Sequence, residues 1–126
     1  MNTSNETRFW PVEIRLKKAE KTLEIEFDDG QTFRYPAELL RVESPSAEVQ
    51  GHGPSQKQLV HGRAHVGILA LEQVGNYAIR IRFDDLHDTG IFSWSYLRHL
   101  GENHDSIWDA YVQNLAANGL TREPKR

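Results

Sequence analysis

The chain has 126 residues and a net charge of -3, from 15 basic and 18 acidic side chains, and it contains no cysteine. This length predicts one domain with its own hydrophobic core, and the lack of a basic excess argues against nucleic acid as a general partner. The absence of cysteine excludes disulfides, thiolate nucleophiles, and Cys-ligated zinc or iron–sulfur clusters on this chain.

The two ends of the chain are polar. Residues 1–10 end in Phe9-Trp10, and residues 120–126 carry mostly charged side chains, so we expect a flexible tail at each end. No apolar run approaches the roughly 18 residues that a membrane span requires, and the N-terminus has no apolar signal-peptide region. We therefore expect a cytoplasmic protein without a membrane partner.

Strict apolar/charged alternation predicts strands in residues 12–16 and 23–27. Phe33 and Tyr35 continue the apolar face, so the first hairpin is predicted over residues 23–35. Asp28-Asp29-Gly30 indicates the turn between residue 27 and the next apolar positions. A two-residue loop would place polar groups in the core, whereas a three-residue loop opposes Ile25 to Phe33 and Leu23 to Tyr35. We predict the three-residue loop, with Gly30 in the left-handed conformation.

A second hairpin is predicted from residues 68–71 and 77–83, turning about Gly75-Asn76. Parity again favours an odd loop, which opposes Glu72 to Arg80 as a charge pair on one face. The other face then holds the apolar side chains, which are Leu69, Leu71, Ile79, Ile81 and Phe83.

Helices are predicted between and after the hairpins. Pro36 suits the start of a short helix through Val42, and Ser93 suits the N-cap of a helix that ends at Gly101. The last helix is predicted over residues 105–118, with Gly119 just past its end. Residues 44–67 contain several Gly and Pro and indicate a long surface loop.

These elements predict an α+β fold in a single domain over residues 11–119. We expect a mostly antiparallel sheet of two hairpins, with two to three helices packed on one side.

Histidines are the only candidate metal ligands of note. One interpretation is a site built from His87 with His52, His61 or His65, and the other is solvated loop histidines. The spacing matches no known zinc motif, and Asp84, Asp85 and Asp88 do not have the spacing of a calcium loop.

Catalytic motifs are absent from the sequence. No serine lies in a Gly-x-Ser-x-Gly elbow, and no glycine-rich segment has a phosphate-loop lysine. We therefore expect no enzymatic activity. Three hypotheses remain: a non-enzymatic binding module, a metal-binding protein that uses His87 with loop histidines, and a small enzyme.

Three segments carry a family resemblance. Residues 36–49, residues 74–77 and residues 84–97 (Asp-Asp-Leu-His-Asp-Thr-Gly-Ile-Phe-Ser-Trp-Ser-Tyr-Leu) resemble the DUF971 family. This family is similar to the N-terminal domain of gamma-butyrobetaine hydroxylase. The catalytic barrel of that hydroxylase is a separate domain, so the resemblance does not carry the hydroxylase activity to this chain.

The resemblance also implies a change at a metal site. In the hydroxylase domain, a Cys-Pro-Cys-x-x-Cys segment and a later histidine bind a structural zinc ion. The matching positions here are Ser44, Ser46, Val49 and His87. Three thiolates are missing, so the resemblance implies a lost zinc site, no cofactor, and hydrogen bonds from Ser44, Ser46 and His87 in its place.

The resemblance finally implies a kind of partner. Relatives of this domain occur fused to iron–sulfur carrier ATPases of the Mrp type. An accessory role near iron–sulfur or other metal-cofactor assembly, with a protein component of that process as partner, is therefore expected by analogy.

Overall fold

Six strands and four α-helices make up the computed structural model, which describes residues 8–51 and 54–124. In chain order they are β1 (Pro11–Lys17), β2 (Thr22–Phe27), β3 (Thr32–Pro36), α1 (Ala37–Val42), α2 (Ala47–Gln50), a 3₁₀ turn (Pro54–Gln56), β4 (Ile68–Val74), β5 (Ala78–Phe83), β6 (Ile91–Ser93), α3 (Trp94–Glu102) and α4 (His104–Ala117). The α+β prediction is confirmed. No helix in this part of the chain is long and apolar enough to cross a membrane.

The strands form two antiparallel sheets, with the orders β1-β2-β3 and β4-β5-β6. The sequence predicted two hairpins in one sheet. The hairpins instead lie in separate sheets, and a third strand extends each hairpin, since two strands alone are marginally stable in water. Strand β1 pairs with β2, and the short β6 pairs with β5.

The first hairpin, β2 and β3, has the predicted register. Ile25 pairs with Phe33 and Leu23 pairs with Tyr35. The amide of Phe27 donates to the carbonyl of Gln31, which leaves three residues in the loop, and Gly30 has φ +86°. The polarity argument therefore selected the correct loop length.

The second hairpin confirms the predicted odd loop, which has three residues, but corrects the position of Leu69. Glu72 pairs with Arg80, and a 3.1 Å salt bridge joins the two side chains. The register shifts between Ile68 and Ala70, so Ile68 takes the buried position opposite Phe83. Leu69 is extra in the bulge and stays 48 % exposed.

One main core lies between the sheets and the helices. Its fully buried side chains come from β2, β3, β5, β6, α1 and α3, and the largest are Tyr35, Phe27, Phe83 and Phe92. The Tyr35 hydroxyl donates to the carbonyl of Leu97, which ties β3 to α3. Ser93 caps α3 as predicted, since its hydroxyl accepts from the amide of Tyr96.

Gly101 does not end α3, which continues to Glu102. A Cβ at this position would lie 2.6 Å from the Phe33 ring. The glycine therefore allows α3 to approach β3 closely.

Residues just beyond α4 make contacts with the domain, within the segment where the sequence predicted a flexible tail. Helix α4 ends at Ala117, Gly119 follows it with φ +67°, and the amide of Leu120 donates back to the carbonyl of Leu115. Leu120 packs against Leu115 in a second small core. Beyond it, the Arg122 guanidinium makes two parallel hydrogen bonds, of 2.8 and 3.0 Å, to the buried Glu38 carboxylate.

The N-terminal segment also docks on the domain where it is described. The Arg98 guanidinium lies 3.9 Å above the Phe9 ring, and the carbonyl of Trp10 accepts from the amide of Asp28. Residues 1–7 of the expected tail lie outside the described residues.

Candidate functional site

His87 lies in the turn between β5 and β6 and points inward. Its carbonyl accepts from the amide of Phe83, and its own amide donates to Asp85 Oδ1. The preceding residue, Leu86, has φ +75° and is 82 % exposed, an unusual conformation for a leucine. The turn places the imidazole against the Phe83 ring with only 4 % of its side chain exposed.

Both imidazole nitrogens of His87 have partners. Nε2 lies 3.0 Å from the Ser44 hydroxyl and 3.3 Å from the Ser46 hydroxyl, and Nδ1 lies 3.0 Å from a carboxylate oxygen of Glu48. A carboxylate only accepts, so these partners assign the proton of the neutral ring to Nδ1 and make Nε2 the acceptor of a serine O–H. We refer to Ser44, Ser46, Glu48 and His87 as the His87 cluster.

The serines are held by the backbone between α1 and α2. The amide of Ser46 donates weakly to Ser44 Oγ at 3.4 Å, and the side-chain amide of Gln50 donates to the Ser44 carbonyl at 2.9 Å. Ser46 is the N-cap of α2, but its hydroxyl faces His87 instead of capping the helix. A Cβ at Gly90 would collide with Ser44 Oγ, so the glycine leaves the space that the serine fills.

The protonation state of His87 follows from its surroundings. Burial lowers the pKa of the imidazole, and the positive charge of Arg41 lowers it further. Glu48 and Asp85 oppose the shift without reversing it. His87 is therefore neutral at neutral pH, which matches the hydrogen-bond pattern of its two nitrogens.

A second charged cluster adjoins the first through Asp85. The Nε atoms of Arg41 and Arg63 lie 2.8 and 2.7 Å from the same oxygen, Asp85 Oδ2. Burial alone would raise the pKa of Asp85, but the hydrogen bond from Arg41 and the His87 amide hold it below its usual value. Asp85 therefore stays ionised and links α1, the loop before β4 and the turn that carries His87.

The residues at the expected zinc positions do not fit a structural zinc ion. Ser44, Ser46 and His87 do meet, as the resemblance implied, but hydroxyls replace thiolates and Val49 is a buried apolar side chain. Structural zinc sites use four Cys or His ligands, and one imidazole is too few. Within residues 8–51 and 54–124, no three His, Cys, Asp or Glu side chains form a group that could hold a metal ion.

The other candidate histidines are dispersed. His65 is exposed and lies 3.0 Å from the equally exposed Glu123. The carbonyl of His61 accepts weakly from Arg63. His52 lies outside the described residues. Among the residues described, His87 thus shares no metal-binding group with His61 or His65.

The order carboxylate, imidazole, hydroxyl in the His87 cluster is the order found in serine hydrolases. Sequence reasoning missed this arrangement, because Glu48 and His87 are brought together only by the fold. Ser44 is fully buried and Ser46 is 6 % exposed, so neither hydroxyl is open to a substrate carbonyl. The geometry suits a clamp that holds the α1–α2 segment on the turn after β5.

A cleft of about 440 Å³ lies between the extended residues 57–60 and α4. Its apolar lining includes Val42, Leu59, Val60, Ile107, Ala110 and Tyr111. Its polar lining includes Gln58, Asn114 and Asn118, together with Glu43 and Lys57, which form a 2.7 Å salt bridge with each other. The Tyr111 hydroxyl donates to the Val60 carbonyl and fixes the width of the cleft at that end.

Comparison with known proteins places this architecture in a family. The model of the family described as gamma-butyrobetaine hydroxylase-like, N-terminal, matches residues 14–98. The comparison with curated proteins gave no match.

Solved structures are similar over most of the chain. Two NMR solution structures are 44 % identical, with TM-scores of 0.81 and 0.83, and cover 94 % and 100 % of this chain and 93 % of theirs. A crystal structure of a protein of unknown function from Acidithiobacillus ferrooxidans, of the DUF971 family, is 37 % identical with a TM-score of 0.61. The match covers 80 % of this chain and 98 % of that one. This chain belongs to the gamma-butyrobetaine hydroxylase-like N-terminal family, also called DUF971.

Proposed function

We propose that this domain is a non-enzymatic binding module that receives an extended segment of a partner protein in the cleft between residues 57–60 and α4. The observation that carries the proposal is the cleft itself, an open apolar groove with amide side chains on its rim. Apolar grooves with a few polar groups are the usual form of a binding site.

The chemistry of the cleft favours an uncharged peptide. Its two charged side chains, Glu43 and Lys57, neutralise each other. The amides of Gln58 and Asn114 each offer both a donor and an acceptor, which match the alternating groups of an extended peptide backbone. The apolar side chains below them, such as Ile107 and Leu59, would contact apolar side chains of the partner.

The proposal also concerns the cellular process in which the partner protein takes part. By resemblance, we propose that the partner is a component of iron–sulfur or other metal-cofactor assembly and that the domain acts as an adaptor in the cytoplasm. A hydrolase is less favoured because Ser44 and Ser46 are buried. A metal-binding protein is less favoured because no three potential metal ligands come together among the described residues.

The experiment uses a matched pair of variants on one helix. Ala110 is exposed and lines the cleft, whereas Ala116 is exposed on α4 and does not line it. Ala110→Trp fills the groove without touching the core, and Ala116→Trp adds the same side chain elsewhere. A photo-crosslinking residue placed at position 110 or at position 116, in the native cell, identifies what contacts each site.

The expected result is one protein that crosslinks from position 110 and not from position 116. The purified pair should then bind in calorimetry, with affinity reduced at least about tenfold by Ala110→Trp and unchanged by Ala116→Trp. Equal binding by the two variants, or no crosslink specific to position 110, would contradict the proposal.

A further inference from the structure

Two arginines converge on one carboxylate beside the His87 cluster. Arg41 projects from α1 and Arg63 from the loop before β4, and both Nε atoms approach Asp85 Oδ2. Arg41 makes a hydrogen bond to that oxygen, whereas Arg63 Nε approaches it without the geometry of one. One carboxylate therefore serves two guanidinium groups.

The hydrogen-bonding capacity of these arginines is not met by the protein. Within residues 8–51 and 54–124, two buried side-chain nitrogen or oxygen atoms have no hydrogen-bond partner, and they are Arg41 Nη1 and Arg63 Nε. Both belong to the pair on Asp85. Arg63 Nε still faces Asp85 Oδ2 at 2.7 Å, so Arg41 Nη1 is the atom for which the structure shows no acceptor. An unpaired buried donor on a charged group is costly, and this one indicates a missing acceptor.

The charge balance of the cluster indicates the sign of that acceptor. Arg41 and Arg63 carry two positive charges, and Asp85 supplies one negative charge. The nearby carboxylates on and after α1 have cations of their own, since Glu38 pairs with Arg122 and Glu43 pairs with Lys57. Glu48, on α2, contacts the neutral His87 beside these residues but is 64 % exposed, so solvent screens much of its charge. Among Arg41, Arg63 and Asp85 themselves, one additional negative charge would balance the two guanidinium groups.

The cluster is mostly buried, reaches solvent at Arg63, and is held in place. Arg41 and Asp85 have side-chain exposures of 11 % and 19 %, whereas Arg63 reaches solvent with 36 %. The loop that carries Arg63 is fixed by the C-terminal segment, because the amides of Gly62 and Ala64 donate to the carbonyls of Thr121 and Arg122. A ligand would therefore approach from the side of Arg63, and the Arg63 side chain would move to admit it to the buried Arg41 Nη1.

We propose that Arg41 and Arg63 form a binding site for a small oxyanion, a phosphate or a carboxylate group. Planar guanidinium groups present paired N–H donors that match the oxygens of both anions. The site is separate from the cleft on α4, so this proposal does not rest on the proposed partner.

The test is an NMR titration of the whole protein at neutral pH, observing the Nε–H resonances of the arginines. Inorganic phosphate and acetate are added in separate series, with sodium chloride adjusted to keep the ionic strength constant. The variant is Arg63→Gln, which removes the solvent-side guanidinium. The control is Arg80→Gln, because Arg80 is an exposed arginine in a single ion pair with Glu72.

The expected result is a saturable shift of the Arg41 Nε–H resonance with at least one of the two anions. The stronger anion identifies the ligand as phosphate or carboxylate. Arg63→Gln should weaken the binding about tenfold, and Arg80→Gln should leave it unchanged. A shift that does not saturate, or an equal loss of anion affinity in both variants, would overturn the proposal. If Arg63→Gln does not fold, saturation of the Arg41 shift in the wild type is the deciding result.

Discussion

The Nδ1 atom of His87 lies 3.0 Å from the carboxylate of Glu48, while Nε2 on the other side of the ring meets two serine hydroxyls. His87 is buried while Glu48 is 64 % exposed, so we expect the two side chains to contribute differently to the free energy of unfolding. We expect His87→Ala to lower the free energy of unfolding by about 2–3 kcal/mol, since it leaves a cavity and two unpaired buried hydroxyls.

Glu48→Ala provides the comparison for that loss. Its carboxylate is largely solvated, so we expect a cost of about 1 kcal/mol or less. Urea denaturation of the two variants and the wild type measures both values. A loss for Glu48→Ala as large as that for His87→Ala would show that the exposed carboxylate, and not the buried hydroxyl contacts, holds the ring.

The stability of the protein should depend on pH through His87. Its pKa in the fold lies below the ordinary value near 6.5, so the unfolded state binds more protons as pH falls past that value. We expect the contribution of the neutral ring to be complete above about pH 6.5 and to be lost as pH falls towards the folded pKa.

The measurement for this pH dependence is a series of thermal midpoints for the wild type and for His87→Gln. Glutamine does not titrate, and it keeps a donor and an acceptor at the site. The difference in stability between the two proteins should shrink as pH falls below about 6.5. A difference that is constant or grows over that range would contradict the assignment of a neutral His87.

The family resemblance implies a zinc site at Ser44, Ser46, Val49 and His87, and restoring its cysteines tests that assignment. The variant Ser44→Cys, Ser46→Cys, Val49→Cys would place three thiolates with His87, a complete ligand set for structural zinc. We expect it to bind about one zinc ion per chain and to be stabilised by the metal, because metal that binds only the folded state raises stability. Elemental analysis and the visible spectrum of a cobalt-substituted sample report on the site.

Two controls accompany this redesign. The wild type, purified without chelator, should carry no stoichiometric zinc, and adding His87→Ala to the triple variant should weaken its zinc binding. Stoichiometric zinc in the wild type would show that hydroxyls or residues outside Ser44, Ser46, Val49 and His87 ligate the metal.

The sequence predicted the parts of the fold that depend on neighbouring residues. Alternation has a period of two residues, so a wrong loop length in either hairpin would have turned a whole apolar face outward. This is why the pairs Ile25–Phe33 and Glu72–Arg80 could be assigned. The bulge at Leu69 left no such signal, since either neighbour could fill the buried position.

Long-range contacts account for what the sequence did not reveal. Glu38 and Arg122 pair although they are 84 residues apart in sequence, so the C-terminal residues resembled a free charged tail. The partners of Asp85 and the contact between Glu48 and His87 likewise depend on how the loops meet. The contact of His87 with Ser44 and Ser46 was expected only from the family resemblance. His87 is distant in sequence from the two serines, so no periodic pattern connects them.

Gly101 is the clearest case of a residue whose role is set by packing. Inside an ordinary helix, Gly→Ala is stabilising by about 1 kcal/mol. Here the new methyl group would lie 2.6–2.7 Å from atoms of the Phe33 ring, so we expect Gly101→Ala to destabilise the domain by about 1–3 kcal/mol. A double-mutant cycle with Phe33→Ala separates the two effects, because removing the ring removes most of the clash. In the Phe33→Ala background, Gly101→Ala should be nearly neutral or stabilising when measured by urea denaturation. The same loss in both backgrounds would show that the ring does not explain the glycine.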